Sequence, residues 1–530
     1  MRTFVFAALL IQASVPSRGS IEGVVKAGTT LQQFLPNARL ELREGPGTPI
    51  IVRSDAGGRF IFSSLASGRY RLFLTEDGFI RQEYGQRSPN MPGVSITVAA
   101  GQQVKNVVFR LDAAPTITGS VQDQEGNPLA DILVTAARRT YDFRGRPTLT
   151  AVASATTDDR GTYRIFWVDP GDYYVSAGYA PVRRSGNDDE TVRATYAPVY
   201  FGGVTDPEGV RPIRVEIGRE INGVDFRLRR QDLAQIFGLT MSDITRRPVA
   251  ATITFIPTED ANVARYGTQS SLATGTFVIS EGVAPGSYIV VGQSTSGEKL
   301  AGFTRIKVPS LPRFFLNVRL EFNRAVPVHG RMTMDSELVP DIRQSRIVLM
   351  PAEPGAPSPA AVSPLADGQF VLADVIPGEY FLTVANLPND TYVKAARQGK
   401  TDILETPITI VAESAASLEV RLGSDGGRID TAILDGENRA VSGARVVLVP
   451  DVVRRHRPDQ YRVRTSTDDG RVTLRGIPPG DYKLFAWESI EPNAYLNADY
   501  LHNYDGVGLP VRIGPGQNGP VQLRLIPAGQ

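Results

Sequence analysis

GTYRIFWVDPGDY, residues 161–173, is the stretch that decides the fold of this chain. It opens on a Gly-x-aromatic element and closes on Pro-Gly-x-Tyr, and variants of the phrase stand at four other places. They read GRFIFSSLASGRY from Gly58, GTFVISEGVAPGSY from Gly275, GQFVLADVIPGEY from Gly368 and GRVTLRGIPPGDY from Gly470. The closing tyrosines, Tyr70, Tyr173, Tyr288, Tyr380 and Tyr482, are spaced by roughly 90 to 115 residues, the length of a small domain. One phrase per domain length predicts one module copied in tandem.

More than the phrase repeats. Each unit opens with a short strand carrying a glycine, at Gly23, Gly119, Gly238 and Gly330, and the fifth copy is read with Asp430 at that place. A turn rich in Gly and Asn follows, then a second alternating strand, such as Ile132–Ala136 or Arg445–Val449. The phrase supplies a hairpin, and a last alternating strand closes the unit, as in VKNVVFRL (104–111) and SLEVRL (417–422). Period-two alternation between turn clusters predicts an all-β chain of five tandem antiparallel β-sandwich modules, prealbumin-like and Greek-key. The expected boundaries are 19–114, 115–232, 233–325, 326–426 and 427–530. Residues 1–18, with Arg2 ahead of the apolar run Phe4–Ile11, have the order of a secretory signal peptide.

Composition narrows the function classes. The chain has 530 residues, 42% of them apolar, with 57 Lys and Arg against 56 Asp and Glu. That balance leaves no electrostatic footprint for nucleic acid. Cysteine is absent, which excludes disulfides, thiolate metal sites and cysteine nucleophiles. No run of 18 apolar residues is present to make a spanning helix. The three histidines, His329, His456 and His502, stand in no H-E-x-x-H pattern. No G-x-S-x-G elbow for a serine nucleophile is found. Turns such as Asp158-Asp159 and Asp468-Asp469 lack the alternating acids of a calcium loop.

The glycine strand, the second strand after a Gly/Pro turn and the G-x-F…PG-x-Y hairpin resemble the carboxypeptidase regulatory-like domain family, over roughly residues 19–530. The resemblance implies a transthyretin-like, seven-stranded sandwich related to Cna-B-type and carbohydrate-binding-like folds, and an exported bacterial protein. In metallocarboxypeptidases such a domain accompanies a catalytic domain, for which this sequence offers no motif. Modules of the Cna-B kind sometimes carry a Lys–Asn isopeptide bond. Lys26, Asn106 and Glu76 are the residues this sequence offers for one, though the other copies do not repeat the lysine.

Superposed, the copies share the residues that build a core, so function is sought where they differ. After the hairpin aromatic, positions three and four hold Ser63-Ser64, Ala373-Asp374 or Arg475-Gly476, but Phe166-Trp167 in the second unit. In the fifth unit Phe485 and Trp487 fall on the outward phase of the return strand, followed by Tyr495, Tyr500 and Tyr504. These seven aromatics are the expected ligand-binding residues, since flat apolar faces with Asn and Asp neighbours suit sugar rings or a protein partner. The competing expectation is that a long loop or an adjacent unit covers them. The function expected is a non-catalytic, exported binding or scaffold protein, monomeric and elongated, without cofactor or metal, for a polysaccharide or a surface protein. The alternatives are a surface adhesion or spacer protein, and a hydrolase with an unrecognised carboxylate site.

Overall fold

A computed structural model of the chain describes residues 18–28, 33–88, 91–178, 194–196, 198–204, 209–258, 266–295, 299–309, 315–336, 341–353, 356, 358–411 and 417–528. The signal-like start at 1–17 lies outside them. The regular secondary structure of the described residues is almost entirely strand, with one short α-helix, Ala498–His502. The chain divides into two compact units, Met1–Pro115 with Glu216–Arg219, and Thr116–Val215 with Glu220–Gln530.

In the first unit, Gly19–Ala27 pairs antiparallel with Arg59–Leu65 and parallel with Gln103–Leu111. A second sheet places Arg39–Arg43 between Ile50–Arg53 and Gly68–Thr75. Residues at every second position of these strands, including Ile21, Leu40, Phe60, Phe62, Leu72 and Phe109, fill the space between the sheets. The same plan recurs in the second unit. Thr116–Gln122, Ala234–Ser242, Val326–Met334 and Gly427–Leu434 each take the place of the opening strand. The first strand of the repeated phrase pairs antiparallel with the opening strand and its return strand with the second strand, never with each other, which corrects the expected hairpin. The closing strand runs parallel to the opening one, as for Ala234–Ser242 with Phe315–Arg324. Two copies vary the plan. Leu300–Val308 joins the strands of residues 234–324 into one seven-stranded path, and Tyr392–Gln398 adds to the opening sheet of residues 326–423.

The repeated phrase is explained residue by residue. Its first glycine, Gly58, Gly161, Gly275, Gly368 or Gly470, has φ between 69° and 83°, where a Cβ is strained. Its last residue bonds back to the turn. The hydroxyls of Tyr70, Tyr173, Tyr288, Tyr380 and Tyr482 donate to the carbonyls of Ala66, Asp169, Ala284, Ile376 and Pro478, at 2.7 to 3.0 Å. Each phenol is an amphipathic plug, its ring in the core and its hydroxyl satisfying a turn carbonyl four residues back.

The strand glycine has a steric cause that also corrects one expectation. Gly23, Gly119, Gly238 and Gly330 lie opposite Phe60, Tyr163, Phe277 and Phe370. A Cβ on Gly238 would meet Phe277 Cζ at 1.9 Å and one on Gly330 would meet Phe370 Cζ at 2.2 Å, while on Gly23 and Gly119 it would first meet the carbonyls of Val107 and Val224 in the closing segments, each at 2.0 Å. In the fifth copy the residue in this register is Thr431, not Asp430, and it faces Val472. With no ring lying over the position, a side chain fits there, and Thr431 Oγ1 donates to the Val472 carbonyl at 3.0 Å. Asp430 points outward, where it accepts from Thr473 and Gln517.

Candidate functional site

Past its second inward residue, the first strand of the phrase meets a residue with positive φ in every copy. These are Ser64 (59°), Trp167 (56°), Gly282 (86°), Asp374 (59°) and Gly476 (63°). In four copies the ladder shifts register there and resumes, at Leu65, Val283, Val375 and Ile477. In the second copy the strand stops at Ile165, and Phe166 and Trp167 leave the sheet before Val168 returns to the core. Gly, Ser and Asp suit a left-handed bulge because they have no Cβ or a short polar side chain. A tryptophan does not. Phe166 and Trp167 are 53% and 57% exposed, with ring centroids 6.1 Å apart. The Arg164 guanidinium sits 5.0 Å from the Phe166 centroid and pairs with Glu220 at 3.1 Å, so a cation, an anion and two rings gather at one end of the sheet.

The other five predicted aromatics lie elsewhere and in a different state. Phe485 and Trp487 are each 1% exposed, which corrects the expectation that they face solvent. They do leave the inter-sheet core, but Tyr461, Leu501, Ile526 and the segment 488–508 cover that face and make a second core. Trp487 stacks on Phe485 (4.9 Å, 12°) and meets Tyr504 edge-on at 5.6 Å. Tyr504 meets Tyr500 at 5.2 Å, and Tyr495 packs against Tyr461 at 6.1 Å. The three loop tyrosines are half-buried. Burial and the neighbouring phenols of Tyr504 and Tyr141 push the Tyr500 hydroxyl well above the usual tyrosine range. Of the seven candidates, Phe166 and Trp167 present open ring faces.

The aromatic column continues into another copy. Tyr500 meets Tyr141 at 5.9 Å, Asn497 Nδ2 donates to the Gly145 carbonyl at 2.9 Å, and Arg138 pairs with Glu491 at 2.9 Å. Tyr141 and Gly145 sit at the tip of the hairpin formed by Leu133–Tyr141 and Pro147–Thr156. Within this unit the copies are therefore not strung end to end, which corrects the expectation of an elongated chain for residues 116–528. No signal of periodicity predicts such a contact, because it depends on how whole modules turn relative to one another.

The acidic turns have local duties. Asp158 accepts from the backbone amides of Arg160 and Thr162 and from Thr162 Oγ1. Those donors hold its carboxyl below the usual range. Asp123, Asp142 and Asp435 close turns the same way. Among the described residues no group of three His, Asp or Glu side chains is placed to hold a metal. A polar recess lined by Asp335, Asp425, Lys394 and Arg421 has its charges matched internally. Lys394 and Arg421 both bond Asp335 and lower its pKa, so it stays ionised, and Tyr392 donates to Asp425 at 3.0 Å. Lys26 lies over the Phe34 ring at 5.4 Å. No described helix is long and apolar enough to cross a membrane.

Residues 116–228 match the family model of the carboxypeptidase regulatory-like domain. No curated protein matches the chain. Among solved structures, the Bacillus anthracis TIE protein is similar at 10% identity over 77% of this chain and 73% of its own, with a TM-score of 0.17. A streptococcal ancillary pilin is 12% identical over 58% and 98% (TM-score 0.20), and the minor pilin GBS52 of Streptococcus agalactiae 13% identical over 40% and 95% (TM-score 0.21). Scores this low carry no argument about fold or function.

Proposed function

We propose that this chain, which carries a carboxypeptidase regulatory-like domain at residues 116–228, is a non-catalytic exported scaffold of five tandem sandwich modules that binds a polysaccharide through Phe166 and Trp167. One observation carries the reading. At the one bulge position common to all copies, a bulky indole occupies a left-handed backbone that other copies give to Gly, Ser or Asp, and it is more than half exposed. A strained and solvated aromatic contributes little to folding, so its presence points to contact with something outside the chain. The two rings are tilted 51° to one another and offer separate stacking faces, and Arg164 and Glu220 beside them supply hydrogen-bonding groups for hydroxyls. Tyr495, Tyr500 and Tyr504, which the loop and the neighbouring module engage, are not part of this reading.

Sedimentation of the protein with insoluble polysaccharides, repeated with Phe166→Ala and Trp167→Gly, tests it. Removal of an aromatic anchor from a binding face costs about 2 kcal/mol or more, a loss of roughly thirtyfold in affinity. Wild-type protein that binds no polysaccharide, or variants that bind as well as wild type, would sink the proposal.

A further inference from the structure

The joint between the hairpin tip at residues 141–147 and the segment 488–508 ties together residues 352 positions apart. The sheets of residues 234–324 and 326–423 lie within the closed loop. Asn497 works in both directions across it. Its Oδ1 accepts from the Tyr500 amide at 2.8 Å and caps the short helix, while its Nδ2 donates to the Gly145 carbonyl. Asn493 adds a bond to the Tyr141 carbonyl at 3.3 Å, and Arg144 lies 4.3 Å from the Phe381 centroid. The backbones approach so closely that a Cβ on Gly145 would sit 2.5 Å from the Leu496 carbonyl carbon. Gly126, in another turn of the same copy and also at positive φ, has nothing within 4 Å of its Cβ position.

The strength of this joint differs in kind from that of the modules. In each module the opening and closing strands pair in parallel, so tension at the module's two ends loads a whole ladder in shear. Gly427–Leu434 with Gly516–Arg524 is one such ladder. The joint rests on two side chain–backbone hydrogen bonds, one ion pair and single ring contacts, all partly solvated. We infer that it is a mechanical latch: closed, it carries load directly from the second copy to the fifth, and under tension it opens before any module unfolds. Opening lets the third and fourth copies enter the line of force as folded bodies, which adds length without unfolding. The latch is independent of what Phe166 and Trp167 bind.

Pulling single molecules of the full chain by its termini tests this. The wild type should lengthen in a reversible step of roughly 70 Å, the span of two 100-residue modules with radii of gyration of about 13 Å. This step should precede unfolding steps of roughly 300 Å each, set by the extended length of about 100 residues. Gly145→Ala should abolish the short step and leave the long ones in number and size, while Gly126→Ala should keep both. Glu491→Gln, which leaves the backbone contact intact, should lower the force of the short step. A wild-type trace with no step before the first unfolding event overturns the latch, and so does a Gly145→Ala trace that keeps it.

Discussion

Replacing Trp167 by glycine should leave the second module about as stable as before, although a tryptophan is lost. Two effects oppose each other. The residue holds φ at 56°, and relief of that left-handed strain is worth roughly 1–2 kcal/mol. Against it stands the apolar contact that the indole keeps. With somewhat under half its surface covered, about 100 Å² at ~25 cal/mol per Å² gives an upper limit of about 2.5 kcal/mol, which a compact unfolded chain brings down to about 2 kcal/mol. The difference falls within about 1 kcal/mol of zero, or no more than roughly 8 °C in the melting temperature of a module this size. Trp487 is the internal control, since it is fully buried against Phe485 and Tyr504. Trp487→Ala should cost about 3–5 kcal/mol and lower the melting temperature of its module by at least about 12 °C. Differential scanning calorimetry of the two variants separates these outcomes. A loss of 3 kcal/mol or more for Trp167→Gly would show instead that the indole is a packing residue.

Three further outcomes are expected. Gly238→Ala should destabilise its module by about 1–3 kcal/mol through overpacking against Phe277, and adding Phe277→Val should recover part of that loss, as Thr431 and Val472 do naturally; a double-mutant cycle in urea reads the coupling, and simple additivity would count against it. Tyr380→Phe should cost about 1 kcal/mol by leaving the Ile376 carbonyl without its donor, measured by urea unfolding, and a neutral result would remove that role. Burial raises Tyr173 and Tyr380 from 10 to about 12. Their contribution is whole below pH 10 and is lost as pH rises from 10 to 12, because the unfolded chain gives up those protons first. Stability should therefore fall across that window, and a flat profile would mean the phenols are open to water.

The core of each copy was legible because its causes are local. Period-two alternation fixes which face is inward, and a tyrosine after a Gly turn finds a carbonyl within four residues. The site of the strand glycine was legible in four copies and misread by one residue in the fifth. There Val472 replaces the ring that crowds the glycine in the other copies, and the signal fades with it. The phase of Phe485 and Trp487 away from the inter-sheet core could be read, but their burial could not, since it depends on a long segment that folds back over the sheet. The same holds for Tyr141 and Gly145, whose partners lie in another module hundreds of residues away. What the copies do not share marked both the open aromatic pair and the buried column, and alternation alone cannot tell one from the other.

The most direct test uses the two tryptophans of this chain. In a Trp487→Phe variant, all indole fluorescence comes from Trp167, and acrylamide quenching reports whether that ring is open. Strong quenching is expected in the free protein, and marked protection when a polysaccharide is bound. Binding with unchanged quenching would place the ligand away from Trp167 and rule out binding through its ring.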